Sequence, residues 1–175
     1  MLNSKDKVAI YMESNLDSDY GKMGMGVIRY LSNQITCVID SNHAGKRIKS
    51  FINTDRKIPI VRSLEIAIER KSTVLVLGIA PSGGKIPKEW TPIIEKALKN
   101  GLSIVNGLHE LLFPKWKDLI KINKNQWIWD VRMPLFVPDI ATGKAGKLKN
   151  KRILFIGTDM AVGKMTAALE IYSFL

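Results

Sequence analysis

Between residues 7 and 130, short runs of apolar residues alternate with longer stretches whose apolar positions recur every three or four residues. The first pattern is typical of buried strands and the second of helices that cover a sheet. The predicted strands are Val8–Met12, Ile35–Ile39, Ile58–Val61, Val74–Ile79, Ser103–Val105 and Trp127–Trp129, and the predicted helices are Met23–Leu31, Leu64–Glu69 and Glu89–Leu98. This alternation predicts an α/β fold, a Rossmann-like doubly wound parallel sheet that spans residues 1–130.

The third predicted helix carries a signal at each end. Pro87 suits its first turn, because the fixed φ of proline is helical and its missing N–H would be unpaired there. Gly101 is the predicted C-terminal stop, since glycine readily adopts the left-handed conformation that ends many helices.

Composition excludes several classes of protein. The 175 residues are 46% apolar, as in an ordinary globular domain. No apolar run could span a bilayer, and the polar N-terminus lacks the hydrophobic region of a signal peptide, so we expect a cytoplasmic location and no membrane partner. The single cysteine, Cys37, excludes disulfide frameworks and cysteine-clustered zinc sites, and its apolar neighbours predict a buried thiol. We assign no metal ligands.

The chain is strongly basic, with 27 Lys+Arg against 16 Asp+Glu and a formal net charge of +11. Its lysines are spread through residues 46–71, 85–99, 115–124 and 144–152, and no aromatic RNA-binding signature accompanies them. This distribution favours a solvated surface over a nucleic-acid interface. Long-range attraction still favours anionic small molecules such as carboxylates, phosphates and coenzyme A. A non-catalytic module that binds anions or nucleic acid stays open as an alternative.

The pattern changes after Trp129. Residues 131–151 mix proline, glycine and lysine, which predicts an interdomain linker. Residues 152–175 then predict a strand at Ile153–Ile156, a glycine-rich loop and a helix, the first strand-loop-helix of a P-loop NTPase-like domain. One strand and one helix cannot bury two faces, so we predict a truncated domain in a fragment of a protein about twice as long, inactive on its own.

The glycine-rich loop has the composition of a phosphate site. Its backbone N–H groups and the following helix N-terminus attract phosphate oxygens, and Lys164 adds a full charge. The predicted cofactor-binding residues are Gly157, Thr158, Asp159, Gly163, Lys164 and Thr166. The loop departs from the standard pattern because five residues separate its glycines and Met165 follows the lysine. Thr166 would point about 100° away around the helix. Binding of ATP and Mg²⁺ is therefore only an alternative, as is a simple turn without a ligand.

A second polar loop, residues 78–87, leaves the carboxyl end of a predicted buried strand, where open α/β sheets bind ligands. Gly83 and Gly84 allow a close approach of an anion to the backbone, Ser82 offers a hydroxyl and Lys85 a charge. A carboxylate or phosphate would fit these groups. The alternative is a crossover loop that needs glycine only for its turn.

His109 and Arg132 follow the next two predicted strands. Because loops that follow neighbouring strands converge, we expect His109 near the second polar loop, where its imidazole could accept a proton from an amine. Helix capping or packing is the alternative role. Arg132 could bind a carboxylate through its two-pronged guanidinium, or Asp130 and Arg132 could belong to a salt bridge. His43, in the loop after the second strand, is interpreted as a surface residue.

Several ordered motifs extend from about residue 58 to the end of the chain. They are residues 78–90, 101–109, Asp130-Val131-Arg132, Ala141-Thr142-Gly143 and 157–166. Together they resemble the DgcN-like D-glutamate N-acetyltransferase family, long catalogued as a domain of unknown function. The resemblance implies a Rossmann-like N-terminal half and a P-loop C-terminal half. It also makes Met165 a family trait, because a Gly-Lys-Met-Thr ending of the loop is usual there.

The resemblance implies transfer of an acetyl group from acetyl-CoA to the amino group of D-glutamate. His109 is then the expected base, and Ser82, Gly83, Gly84, Lys85 and Arg132 are the expected substrate-binding residues. The loop amides at Gly83 and Gly84 are expected oxyanion donors, and the Gly157–Lys164 loop is expected to hold the coenzyme A phosphates. We also expect a homo-oligomer and no nucleic-acid partner.

A P-loop enzyme resembling dethiobiotin synthetase is the main alternative function. That family also has Gly-Thr-Asp, five intervening residues and Gly-Lys, but threonine follows its lysine where this chain has Met165.

Overall fold

The computed structural model describes residues 2–121, 124–134, 136–137, 139–159 and 162–175. The chain divides into two compact units, Met1–Pro134 and Leu135–Leu175. In chain order the first unit contains β1 (Lys7–Tyr11), α1 (Lys22–Tyr30), β2 (Gln34–Ile39), β3 (Ile60–Val61), α2 (Leu64–Glu69), β4 (Val74–Leu77), α3 (Thr91–Lys99), β5 (Ser103–Asn106), α4 (Phe113–Trp116) and β6 (Ile128–Asp130). Of the helices that the structure describes, none has the length and apolarity that crossing a bilayer requires.

The strands form one six-stranded parallel sheet in the order β3-β2-β1-β4-β5-β6. The chain runs outward from β1 to β3, then returns to the centre at β4 and continues to the opposite edge. The direction of winding therefore reverses between β1 and β4, which is the arrangement of a doubly wound Rossmann-like sheet. The predicted α/β fold is confirmed, and the predicted strands and helices of this unit are present with ends shifted by at most two residues.

Both faces of the sheet are buried. Alternate residues of β1 show this, because Val8 and Ile10 join one apolar cluster with α1, whereas Ala9 and Tyr11 join another with α2, α3 and α4. Parallel strands covered by helices on both faces are apolar throughout, which explains the uninterrupted apolar runs in the sequence. Cys37 lies fully within the second of these clusters, and burial raises the pKa of its thiol. The predicted buried cysteine is confirmed.

The entry to α3 differs from the prediction, whereas its end does not. Pro87 precedes a 3₁₀ turn in which the Trp90 N–H donates to the Pro87 carbonyl at 3.0 Å, and Pro92 occupies the first turn of the α-helix instead. The prediction for Pro87 was wrong because this tighter turn intervenes. Gly101, with φ of +85°, ends the helix as predicted.

The second unit contains a 3₁₀ turn at Lys144–Lys147 and helix α5 (Lys164–Phe174). The helix is where the sequence predicted one. The predicted strand Ile153–Ile156 is not formed, because no described residue supplies the partner backbone that a β-ladder needs. Ile153, Leu154 and Ile156 are largely exposed, and none of the described residues from 136 to 175 is buried.

Close backbone packing at Gly78 joins β4 to β1 and α1. The Gly78 N–H donates to the Tyr11 carbonyl at 2.9 Å, and the Gly78 carbonyl accepts the Gly24 N–H at 2.8 Å. A Cβ atom at Gly78 would lie 2.7 Å from Ile10 Cγ2 and 3.0 Å from Gly24 Cα. Only glycine fits at this crossing.

We expect Gly78→Ala to lower the free energy of unfolding by about 1–3 kcal/mol, because the added methyl group forces apart packed backbone. The matched control is Gly26→Ala in α1, where a Cβ meets nothing within 4 Å. It should raise the free energy of unfolding by about 0.5–1 kcal/mol through helix propensity alone. Urea unfolding measures both, and equal stabilities for the two variants would contradict this account.

Candidate functional site

A pocket of about 330 Å³ lies at the carboxyl edge of the sheet, where β4, β5 and β6 end. It is lined by Ala80, Pro81, Gly83, Gly84, Gly107, Leu108, His109 and Arg132. The structure thus brings together Gly83, Gly84, His109 and Arg132, which come from three separate loops. Ser82 and Lys85 are exposed residues of the first loop and are not among the residues that line the pocket.

Backbone hydrogen bonds tie the loop after β4 to the loop after β5. The Gly84 carbonyl accepts the N–H of His109 at 3.1 Å and that of Glu110 at 3.3 Å. The Glu110 carboxylate accepts the Ile86 N–H at 2.7 Å. Hydrogen bonds from Lys115 and from the Ile86 N–H lower the pKa of Glu110, so the carboxylate form that makes this tether is favoured. The predicted convergence of the two loops is confirmed.

Gly84 is required by both its conformation and its neighbour. Its φ is +63°, and a Cβ there would lie 2.4 Å from His109 Cδ2, so the imidazole lies directly against the glycine. The Gly84 N–H donates to the Pro81 carbonyl at 3.0 Å. That donor is used within the turn, so the prediction that the Gly84 amide serves as an oxyanion donor does not fit this structure.

A hydrogen bond to the backbone of the loop after β5 positions the Arg132 side chain. Its Nε donates to the Gly107 carbonyl at 2.7 Å, which fixes the side chain at the pocket. No ion pair joins Arg132 to a carboxylate among the described residues. The two terminal nitrogens of a guanidinium held in this way are suited to a bidentate contact with a carboxylate ligand.

Asp130 has a structural role that the sequence did not reveal. Its buried carboxylate accepts the N–H groups of Leu112 and Phe113 at 2.9 Å each and the Asn106 Nδ2 at 2.8 Å. A carboxylate at the start of α4 satisfies helix donors that would otherwise lack partners. Asp130 therefore shapes the loop that carries His109 instead of pairing with Arg132. The sequence feature that could have indicated this role is an acidic residue at the end of a buried strand.

The interpretation of His43 as a surface residue was wrong. Its side chain is only 13% exposed, because it lies between Asp40 and Asp17 at the carboxyl ends of β2 and β1. Its Nδ1 is 3.3 Å from Asp40 Oδ2, its Nε2 is 3.4 Å from Asp17 Oδ2, and its ring packs edge-on against Phe51. The spacing from the end of β2 could have indicated these contacts, since parallel strands bring these loops together.

In the second unit, the side chain of Lys164 packs against the glycine-rich loop. Lys164 Nζ donates to the Asp159 carbonyl, and a Cβ at Gly157 would lie 2.8 Å from Val162 Cγ2 and 3.1 Å from Lys164 Cδ. Gly163, with φ of +88°, directly precedes α5. The lysine therefore projects toward the loop backbone, the direction in which a phosphate would be met.

The first turn of α5 differs from the standard P-loop pattern in the way that the sequence predicts. Met165 follows the lysine and is 74% exposed, and Thr166 is also exposed. Thr158 is exposed at the start of the loop. Met160 and Ala161 lie outside the described residues.

Two regions of the chain match known protein families. Residues 41–134 match a Rossmann-like domain of unknown function, DUF1611_N, and residues 139–175 match the P-loop domain DUF1611_C. The chain belongs to the DUF1611 family. The resemblance inferred from the motifs is confirmed, together with the Rossmann-like and P-loop assignments.

Two kinds of relative resemble this family member. A crystal structure of a DUF1611 family protein from Anabaena variabilis is 41% identical with a TM-score of 0.88, over 97% of this chain and 49% of that one. Curated proteins named D-glutamate N-acetyltransferase, from Pseudoalteromonas and Tritonibacter scottomollicae, are 44% and 39% identical over 55% and 61% of this chain. These matches span 29% and 32% of the two curated relatives.

We expect Gly84→Ala to displace the His109 ring, because the added methyl group would occupy the position of the imidazole. Gly83→Ala is the matched control: its φ is +76°, so the backbone strain is comparable, but its Cβ meets nothing within 4 Å. The measurement is the chemical shift of the His109 ring protons. A large change in Gly84→Ala with little change in Gly83→Ala is expected, and equal changes in the two variants would show that the contact is absent.

Proposed function

We propose that this chain provides the amino-acid site of an N-acetyltransferase that moves an acetyl group from acetyl-CoA to the amino group of D-glutamate. The observation that carries the proposal is the presence of an imidazole, His109, and an anchored guanidinium, Arg132, on one pocket at the carboxyl edge of the sheet. The names of the curated relatives support acetylation of D-glutamate.

The pocket suits a small dicarboxylic amino acid. Its volume, about 330 Å³, is at the lower end of the range for small-molecule sites. In the proposed complex Arg132 binds one substrate carboxylate through its terminal nitrogens. Gly83, where a Cβ would meet nothing within 4 Å, lets the substrate approach the backbone closely, and Gly84 lines the pocket beside His109. Ser82 and Lys85, exposed residues of the same loop outside the pocket lining, contribute a hydroxyl and a positive charge for the second carboxylate.

His109 is the proposed general base. Only the neutral amine is a nucleophile, so the substrate ammonium group first loses one proton to solvent. The neutral nitrogen then loses a second proton as it forms the N–C bond to the acetyl carbon. His109 takes that proton. The C–S bond breaks as the tetrahedral intermediate collapses, and the proton returns from the imidazolium to the departing thiolate, which leaves as a thiol.

The Gly157–Lys164 loop is the proposed site for the phosphates of the acyl donor. Its donors are backbone N–H groups and one ammonium, which suit pyrophosphate or a single phosphate group. Acetyl-coenzyme A bound there would supply the activated thioester. Thr158, Asp159, Gly163 and Thr166 complete the proposed contacts. ATP would use the same donors, but Met165 removes the hydroxyl that orders Mg²⁺ in the standard loop.

We expect His109→Ala to lower kcat by at least about tenfold, because a positioned base contributes that much or more to proton transfer. Turnover is measured in a protein of the relatives' length that carries residues 1–175. His43→Gln is the histidine control, since His43 lies in a separate carboxylate network. Turnover that is unchanged from pH 6 to 9 in His109→Ala would remove this residue from the role of base.

The substitution Arg132→Lys tests whether Arg132 contributes to substrate binding or to the chemical step. We expect it to raise the KM for D-glutamate by about tenfold while kcat changes much less, because lysine keeps the charge but loses the bidentate geometry. A fall in kcat with an unchanged KM would contradict the assignment of Arg132 to the substrate carboxylate.

A further inference from the structure

A second and larger cavity, of about 720 Å³, lies away from the carboxyl-edge pocket. Segments 45–49 and 54–59 form its walls together with Arg70, and we call it the basic groove. Pro59 precedes β3 and Arg70 follows α2, so the basic groove is at the amino end of β3, the opposite end of the sheet from His109. The two sites are therefore distinct.

The basic groove concentrates positive charge. In the part of the chain that the structure describes, its lining contains six cationic residues and a single carboxylate, Asp55. The six cations are Lys46, Arg47, Lys49, Arg56, Lys57 and Arg70. Like charges around one cavity repel one another, and a bound anion would relieve that repulsion.

These cations lack the ion pairs found elsewhere in the structure. In the described part of the chain, Lys22, Lys96, Lys99, Lys115 and Lys144 each pair with a carboxylate, and none of the six groove cations does. Two of the six have neutral contacts instead: the Arg56 guanidinium donates to the Leu31 carbonyl, and Lys46 Nζ lies 5.9 Å from the centre of the Phe51 ring.

The backbone that presents these charges is firmly held. Arg47 and Pro59 form an antiparallel bridge, and the Gly45 N–H donates to the Ile60 carbonyl at 3.0 Å. Ile48 and Ile58 are buried in the core beneath the groove. The basic groove is thus a concave surface whose shape exists before any ligand binds, which lowers the entropic cost of binding.

We propose that the basic groove binds a small anion that carries two or more phosphate groups, such as a nucleoside polyphosphate. Arg47, Arg56 and Arg70 offer planar forks for phosphate oxygens, and the lysines add point charges. The volume accommodates a nucleotide, and Pro59, which is half-buried, offers apolar surface to its base. Single-stranded nucleic acid fits less well, because among the described residues no aromatic side chain lines the groove to stack successive bases.

The test is an NMR titration of the 175-residue chain with tripolyphosphate, ATP, coenzyme A and a mixed-sequence oligonucleotide. We expect saturable amide shifts at residues 45–49 and 54–59. The double variant Arg47→Gln and Arg70→Gln should weaken tripolyphosphate binding by at least about tenfold, since each charge-assisted contact is strong. ATP and coenzyme A distinguish a purely ionic site from one that also holds the nucleoside, because binding tighter than that of tripolyphosphate requires contacts with the base or ribose.

The control variant, Arg29→Gln with Arg62→Gln, changes the net charge equally but leaves the groove lining intact. We expect it to keep the wild-type shifts at residues 45–49 and 54–59. We expect the same groove shifts in Lys164→Ala, whose loss of binding is confined to the P-loop. Equal losses in the two double variants, loss of the groove shifts in Lys164→Ala, or preferred binding of the oligonucleotide with a steep salt dependence would each overturn the proposal. None of these readouts depends on acetyl transfer, so the proposed activity and this site stand or fall separately.

Discussion

Parallel pairing of six strands is the constraint on which the rest of the structure depends. Because β4, β5 and β6 run side by side in the same direction, the loops that follow them emerge at one edge of the sheet. The Gly84 carbonyl then joins two of these loops through the N–H groups of His109 and Glu110. These backbone bonds place the imidazole at the pocket, and the bond from Arg132 Nε to the Gly107 carbonyl brings a guanidinium to the same pocket. The chemistry proposed for the site follows from that placement more than from the altered pKa of any one group.

Most of the sheet could be predicted from the sequence, because strands buried on both faces leave uninterrupted apolar runs and their covering helices leave a regular stripe. The convergence of the His109 loop with the Gly83-Gly84 loop followed from the same topology. What the sequence could not supply was the detailed bonding within loops. The capping role of Asp130, the Pro81–Gly84 turn that engages an expected donor, and the two carboxylates around His43 all depend on side-chain and backbone directions that periodicity does not encode.

The grouping of charges and the pairing of strands also depend on tertiary contacts that the sequence does not show. Lysines and arginines spread along residues 46–70 resemble an ordinary solvated surface, yet folding gathers six of them around one cavity. Residues 153–156 have the apolar composition of a strand, but a strand is stable only with neighbours, and the described residues provide none. In both cases the composition of a segment limits the structures that it can form, and contacts with residues distant in sequence determine which of them forms. The match of residues 139–175 to the DUF1611_C P-loop domain indicates the fold to which the second unit belongs, which the contacts within that unit do not.

The central claim is that the carboxyl-edge pocket recognises D-glutamate, and a titration followed by amide chemical shifts tests it most directly. Addition of D-glutamate to the 175-residue chain should produce saturable shifts centred on Gly83, Gly84, Gly107 and His109, and Arg132→Gln should abolish them. Saturable shifts centred on any other part of the chain, or no saturable shifts at all, would contradict the account.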